Sequence, residues 1–370
     1  MKFVDLNALH QSIESELQSA IDTVIRTSSF IRGTHVEQFE KNYASLYTSK
    51  HCISCANGTD ALFIALKALG AGLGDEVITT AHSWISTSET ITLTGADVRF
   101  CDTEEDYFCI DPNKIEPLIT SRTRGIIVVH LYGQTVDMDR IMALAQAHGL
   151  WVIEDCAQSH LATYKGRLVG TIGDVGTFSF YPGKNLGAMG DAGALITSRD
   201  DVADYSTLFA RHGGKNNHVM EGINSRMDGL QAAILNVKLN HLEKWTEQRR
   251  LCANRYDALL HDVANITTPK VRADSKHVYH LYVIRTKQRD ALRAFLKENG
   301  IPSIINYPRP LPLYSAYSRF RYTPDDFPVA SQHAREILSL PMHPLLRDEE
   351  QQEVVEAIES FHNDHPLSMR

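Results

Sequence analysis

Residues 175–197, VGTFSFYPGKNLGAMGDAGALIT, decide how the rest of the chain is read. Two apolar runs in it, GTFSFYP (176–182) and GALIT (193–197), have the length and composition of buried strands. Between them lies a loop with glycines at 183, 187 and 190, and with Gly193 opening the second run, and one lysine, Lys184. A solubilising lysine belongs on a helix face. An amine held in a tight loop between buried strands is placed for chemistry, and a partly desolvated lysine attacks carbonyl carbons.

Working outward, apolar runs alternate with helical patterns from about residue 50 to 200. Strands are expected at HCISC (51–55), DEVITT (75–80), DVRFCD (97–102), RGIIVVHLYG (124–133) and LWVIEDCAQ (150–158). Helices are expected at GTDALFIALKALG (58–70), SETITLTG (88–95), PNKIEPLI (112–119) and DMDRIMALAQAHG (137–149). This alternation predicts an α/β fold with a mostly parallel sheet covered on both faces. Residues 1–47 read as helical and polar, and 228–258 as one long helix. Beyond it come a strand at HVYHLYVIRT (277–286), a helix at DALRAFLKENG (290–300) and a proline-rich loop at YPRPLPLY (307–314). The expected division is a large domain, 1–245, and a smaller α+β domain, 246–370.

Composition excludes several classes. The chain has 370 residues, 43% of them hydrophobic, and a net charge of −8. Bulk attraction to nucleic acid or an anionic membrane is therefore not expected. No apolar run reaches the ~18 residues of a membrane helix. The start, MKFVDLNALHQSIESEL, lacks a signal-peptide core, so a cytoplasmic protein is expected. Of the cysteines at 52, 55, 101, 109, 156 and 252, only Cys52 and Cys55 have metal-type spacing. No second pair complements them, so no metal site is expected. There is no GxxxxGK[ST] phosphate loop, because Phe178 stands at its first glycine and Asn185 at its last position. No GxGxxG occurs among the glycines at 70, 72 and 74, which argues against a Rossmann oxidoreductase.

In open α/β sheets ligands bind beyond the carboxyl ends of the strands. Four features fall there. Asn57-Gly58-Thr59-Asp60 follows the first strand and opens a helix. It is either a plain helix cap or a phosphate cradle of free N–H groups. Trp84 follows the second strand, as core or as a flat surface for an aromatic ligand. Asp155 closes WVIED, as a loop acid or as the partner of a protonated ring nitrogen. Lys184 follows FSF. Cradle, ring, acid and amine together describe a site for pyridoxal 5′-phosphate (PLP).

These motifs resemble the DegT/DnrJ/EryC1/StrS sugar-nucleotide aminotransferases, a branch of fold-type I PLP enzymes. The resemblance runs from FVDL (3–6) through SCANGTDAL (54–62), GDEVIT (74–79), VIEDCAQSH (152–160) and FSFYPGKNLGAMGDAGA (178–194). It continues through INSRMDGLQAAIL (223–235), VYHLYVIR (278–285) and LSLPMHP (338–344). It implies that Lys184 is the Schiff-base lysine and Asp155 the pyridinium partner. Gly58, Thr59 and Ser179 match phosphate-binding positions, Trp84 the stacking ring, and Gln158 a neighbour of the cofactor's 3-hydroxyl. Asn224 matches an asparagine that reaches the phosphate held by a neighbouring subunit, which implies a homodimer with shared sites. Its plain reading is the cap region before DGLQAAIL.

The implied reaction moves an amino group from L-glutamate to a ketone on a nucleotide-linked hexose. Relatives that dehydrate carry histidine in place of the lysine, so Lys184 points to transamination. GDAGA (190–194) and EDCAQSHLATYKG (154–166) resemble enzymes that aminate C3 of dTDP-3-keto-6-deoxyhexoses. A UDP-linked 3-keto sugar or a 4-keto sugar is the alternative, and a sensor that binds without turnover is the reading from a different class. His160 is either a sugar contact or a satisfied histidine at the strand end. Tyr181 and Lys215 are further candidates for substrate contact. Asn306 and Tyr307 stand where the family often reads HYP, so an amide replaces a histidine near the sugar.

Overall fold

The computed structural model describes residues 1–364. Seven strands form the central sheet: β1 (His51–Cys55), β2 (Glu76–Thr80), β3 (Asp97–Cys101), β4 (Thr123–Val129), β5 (Trp151–Asp155), β8 (Val175–Ser179) and β9 (Gly193–Thr197). Their spatial order is β1-β9-β8-β5-β4-β2-β3. Pairing is parallel from β8 through β3, while β9 runs antiparallel to both β8 and β1. Because β9 is the one reversed strand, the carboxyl ends of β1, β2, β4, β5 and β8 all meet at one edge. A small sheet of β6 (Thr163–Tyr164), β7 (Arg167–Leu168) and β10 (Ser275–Lys276) sits apart, and β11 (Tyr282–Arg285) pairs antiparallel with β12 (Ile337–Leu340).

Alternation along the strands explains the layering. Ile126, Val128 and Val152 face one cluster, packed with Val36, Phe39, Met138 and Ile141 from the helices Thr34–Leu46 and Met138–His148. Ile127, Ile153 and Leu195 face the other, packed with Ala61, Leu62, Ile64 and Ala65 of helix Gly58–Ala68. Both faces are buried, which is why these strands read as continuous apolar runs.

A third cluster joins Cys252, Tyr256 and Leu260 to β11, β12 and the helices Arg289–Glu298 and Asp348–Asp364. Helix Leu242–Leu260 reaches between bodies, since Trp245 packs with Ile13, Leu17 and Ile234 instead. The N-terminus crosses the other way: Phe3 packs beside Leu281 and Val283, and its carbonyl accepts from Met342 N–H at 3.2 Å. Residues such as Leu311, Tyr317 and Phe327 return to the large sheet.

Several elements depart from the sequence expectation. Residues 112–119 form two short 3-10 turns, Pro112–Lys114 and Glu116–Leu118, because Pro117 removes a donor where a helix needs one. The pattern over 228–258 is two helices, Gly229–Leu239 and Leu242–Leu260, broken at Asn240 and His241. Strand β4 stops at Val129, since Tyr132 takes a left-handed φ of 60°. Over 277–286 only Tyr282–Arg285 is strand, and Tyr279 is again left-handed at 43°.

Candidate active site

The meeting of strand ends opens a cavity of about 750 Å³. Gly58, Thr59, Trp84, Asp155, Gln158, Ser179, Tyr181, Lys184, Asn306 and Tyr307 all line it. These residues come from distant parts of the chain, and the register of the sheet brings them together: Asp155 lies opposite Thr177, and Ser179 opposite Gly193.

The cradle is built at the start of helix Gly58–Ala68. Asn57 caps it, its Oδ1 accepting from Asp60 N–H at 2.8 Å. The N–H groups that follow are left without intrahelical partners and point to an anion. Glycine is required here by closeness: a Cβ on Gly58 would stand 2.6 Å from Ser179 Cβ, and one on Gly193 2.2 Å from the Asn57 carbonyl. Thr59 Oγ1 is 2.7 Å from Ser86 Oγ.

Asp155 ends β5 and is buried. Its Oδ1 accepts from Ala157 N–H at 3.1 Å, and its Oδ2 from the Thr87 hydroxyl at 3.0 Å. Burial raises its pKa, against these hydrogen bonds and the charge of Lys184. Lys184 follows β8 on a turn closed by its own N–H donating to Tyr181 O at 2.8 Å. Desolvation lowers its pKa to about 8, with Asp155 pulling the other way. The result is an amine that is partly neutral near physiological pH, beside a carboxylate held in the same cavity.

Gln158 has a defined amide orientation. Its Oε1 accepts from Tyr132 N–H at 2.7 Å, so its Nε2 is the end that donates to the Tyr307 hydroxyl at 3.1 Å. Trp84 is 59% exposed, with its ring 5.8 Å from that of Tyr307. Tyr181 is equally open at 59%. Ser339 Oγ donates to Asn306 Oδ1 at 3.0 Å.

Three sequence candidates lie elsewhere. His160 is fully buried away from the cavity. Its Nε2–H donates to the Ser179 carbonyl at 3.1 Å and its Nδ1 accepts from the Tyr43 hydroxyl at 2.9 Å, so it supports the cradle from behind. Burial lowers its pKa to about 3, which keeps it neutral. The sugar-contact reading of His160 is therefore corrected to the satisfied one. Asn224 is exposed and pairs through its backbone with Arg211, outside the lining of its own cavity. Lys215 is exposed on the following turn.

Other residues of the site carried little signal. Thr87 sits in a hydroxyl-rich run, HSWISTSET (82–90), and nothing local marks it as the partner of Asp155. Phe3, Val4 and His280 line the cavity from remote positions. His280 Nδ1 is 3.3 Å from Asn185 Oδ1, and Asn185 Nδ2 donates to Val278 O at 3.1 Å, so the residue after Lys184 is clamped. His130, Glu154 and Cys156 form a buried group with metal-type atoms. Glu154, however, already accepts from His130 Nε2–H and from the N–H groups of Gly170, Ile172 and Gly173 at 2.7–3.0 Å. It is a staple for that loop.

The family model described as DegT/DnrJ/EryC1/StrS aminotransferase matches residues 11–359. The chain belongs to that family. It is 45% identical to a "Pleiotropic regulatory protein" of Geobacillus stearothermophilus over 97% of this chain and 98% of that one. It is 41% identical to the dTDP-3-amino-3,6-dideoxy-alpha-D-galactopyranose transaminase of Aneurinibacillus thermoaerophilus, over 97% and 99%. The X-ray structure of Streptomyces venezuelae DesV superposes with a TM-score of 0.95 at 38% identity, covering 97% of this chain and 98% of that one. The fold is that of an aminotransferase, and the family's cofactor is PLP or its amine form. The residues present fit that cofactor: a cradle that a Cβ on Gly58 would fill, an acid at the buried end and an amine of lowered pKa. No described helix is long and apolar enough to cross a membrane.

Proposed function

We propose that this aminotransferase moves an amino group from L-glutamate to C3 of a dTDP-linked 3-keto-6-deoxyhexose, giving a dTDP-3-amino-3,6-dideoxyhexose. What carries the reading is the meeting of a desolvated lysine, a strand-end carboxylate and a backbone cradle in one cavity. Likeness to the Aneurinibacillus enzyme supports the choice of sugar. The same chemistry on a UDP-linked 3-keto sugar or on a 4-keto sugar is the alternative.

Bound in the cavity, PLP supplies the carbonyl that carries the amino group and the ring that accepts electrons. The protein supplies the rest. Gly58, Thr59 and Ser179 would hold the phosphate, Trp84 would cover the ring, and Asp155 would partner the ring nitrogen. Gln158, whose Nε2 is a donor, would serve the 3-hydroxyl. Lys184 Nζ would take a proton from the donor's α-carbon and give it up again within the same half-reaction, and on the opposite half-reaction it would deliver a proton to C3 of the sugar, for which a pKa of about 8 is suited. Tyr181, Asn306 and Tyr307 would contact the substrate from within the cavity, and Lys215, which lies outside this chain's own cavity, would do so only at a neighbour's site. We divide the chain into a large domain, 1–245, which carries the lysine loop, and a smaller one, 246–370, from which His280, Leu281, Asn306 and Tyr307 line the cavity.

Among the described residues that line the cavity, Lys184 is the one lysine or arginine, against Asp60, Asp155 and Asp191. A nucleotide diphosphate and a dicarboxylate donor need more cations than that. This supports a homodimer in which the neighbour, with Asn224 toward the phosphate, completes each site.

The printed name of the Geobacillus relative favours a second reading, a regulator that binds cofactor without turnover. The presence of both Lys184 and Asp155 supports turnover. The test is spectroscopic. L-glutamate added to the PLP-loaded protein should lower its visible absorption band and raise a shorter-wavelength one, and a keto sugar nucleotide should reverse the change repeatedly. A protein that holds cofactor but never cycles is the regulator.

A further inference from the structure

Residues 278–281 have the apolar pattern of a strand but leave it, because their backbone is tied to other segments. Val278 N–H donates to Gly133 O at 3.1 Å, and Leu281 N–H to Tyr132 O at 3.3 Å. The buried guanidinium of Arg249 donates from Nη1 to the carbonyls of Tyr279, His280 and Met342, at 3.2, 3.4 and 3.1 Å. Among the described residues no carboxylate pairs with Arg249, so its bonds serve the backbone alone. His280 is thus set into the cavity wall on a segment held from both sides.

The proton on its ring is placed by Asn185. Asn185 Nδ2 donates to Val278 O at 3.1 Å, and a carbonyl only accepts, so the amide turns Oδ1 to His280. Oδ1 also only accepts, so the 3.3 Å contact is donated by His280 Nδ1–H. Burial, with the charges of Lys184 and Arg249, lowers the His280 pKa well below 6.5, and the ring is neutral. Its one N–H is therefore on Nδ1, and Nε2 carries a bare lone pair. No described residue donates to Nε2, and that atom is not sealed in the core. The ring is half-buried, and the space it lines is the cavity that also holds Lys184.

Such an atom accepts hydrogen bonds and rejects anions. L-glutamate brings carboxylates and the diphosphate brings oxygens, all of them acceptors that gain nothing from another acceptor. The α-amine of glutamate is consumed at the cofactor. The base and ribose of the nucleotide carry donors, but they lie a diphosphate away from the reacting ketone. His280, by contrast, is clamped to the residue next to Lys184. The donors that remain are the hydroxyls of the sugar.

We propose that His280 Nε2 accepts a hydrogen bond from a hydroxyl of the keto sugar, which makes His280 a specificity-determining residue for the sugar half of the reaction. The inference rests on the aminotransferase reading, because that reading supplies the sugar.

Both halves can be followed from PLP-loaded protein as the fall of its visible band. One probe is L-glutamate. The other is dTDP-3-amino-3,6-dideoxygalactose or a UDP-linked 3-amino sugar, whichever the wild type converts, which runs the sugar half in reverse. His280→Asn keeps an N–H toward Asn185 and removes the Nε2 acceptor. His280→Phe fills the space with no lone pair, and His280→Gln returns an amide oxygen near the Nε2 position. His280→Asn and His280→Phe should lose roughly three- to tenfold in kcat/KM for the amino sugar nucleotide, the worth of one neutral hydrogen bond, and stay within about twofold for L-glutamate. His280→Gln should recover most of that loss. An equal loss in both halves overturns the proposal, because Nε2 then serves Lys184, which both halves use, or the ring is only a prop. An unchanged amino-sugar half in His280→Phe, or a His280→Gln no better than His280→Asn, overturns it as well. Wild-type protein whose band does not respond to L-glutamate would instead sink the aminotransferase reading itself.

Discussion

Replacing Asp155 by Asn should move two observables in opposite directions. The fold tolerates the change, because the amide oxygen still accepts from Ala157 N–H and the new NH2 donates to Thr87 Oγ1, at sites now 3.1 and 3.0 Å apart. The charge is lost. Asp155 at present holds the Lys184 pKa up against desolvation, to about 8. Removing a nearby opposite charge shifts a pKa by about one unit or more, so Lys184 in the cofactor-free variant falls to about 7. The neutral fraction of the amine at pH 7 then rises from about a tenth to about a half. Turnover goes the other way. A ring nitrogen that loses its carboxylate loses about 1–3 pKa units of support, about 1.4–4 kcal/mol, and the rate drops roughly ten- to a thousand-fold. The assay pairs pH-dependent acylation of Lys184, read by peptide mass spectrometry on cofactor-free protein, with steady-state turnover of loaded protein. A variant whose Lys184 titrates higher than in wild type, or whose turnover stays within about threefold, refutes the electrostatic argument.

Three further changes bear on the same architecture. Gly58→Ala drives a methyl to within 2.6 Å of Ser179 Cβ, so it should cost about 1–3 kcal/mol of stability and loosen the cofactor, read by thermal melting and by retention on dialysis. His160→Leu removes the hydrogen bonds it makes to the Ser179 carbonyl and the Tyr43 hydroxyl, so the melting temperature should fall while KM for the sugar nucleotide holds; a selective rise in KM would restore the sugar-contact reading. Lys238 is buried with only neutral acceptors, Gly187 O at 2.7 Å and His10 Nε2 at 2.8 Å, and desolvation lowers its pKa from 10.5 to about 8. The unfolded chain therefore binds more protons than the folded one between those values, and stability from this group rises with pH across that window. Lys238→Met should remove an alkaline gain of up to about 3 kcal/mol in denaturant titrations at pH 8 and 10, and an unchanged slope would count against the burial argument.

Much of the site was legible because its parts are local. A glycine-rich loop, a capped helix start and an acid ending an apolar run each announce themselves over a few residues. His160 was ambiguous for the same reason: its neighbours in sequence place it at a strand end, while its partners, Tyr43 and Ser179, come from elsewhere in the chain. Thr87 and Tyr132 were silent, since one is a hydroxyl among many and the other acts through a backbone N–H.

The sequence by itself determined the α/β class, the strand-end placement of Gly58, Trp84, Asp155 and Lys184, and the chemistry they imply. Those follow from periodicity and side-chain type, which short-range physics dictates. Only the tertiary structure decided that β9 runs antiparallel between β1 and β8, that Phe3 and His280 wall the cavity, and that His160 turns into the core. Each depends on which distant segments share a face, and that is set by the packing of whole layers against one another.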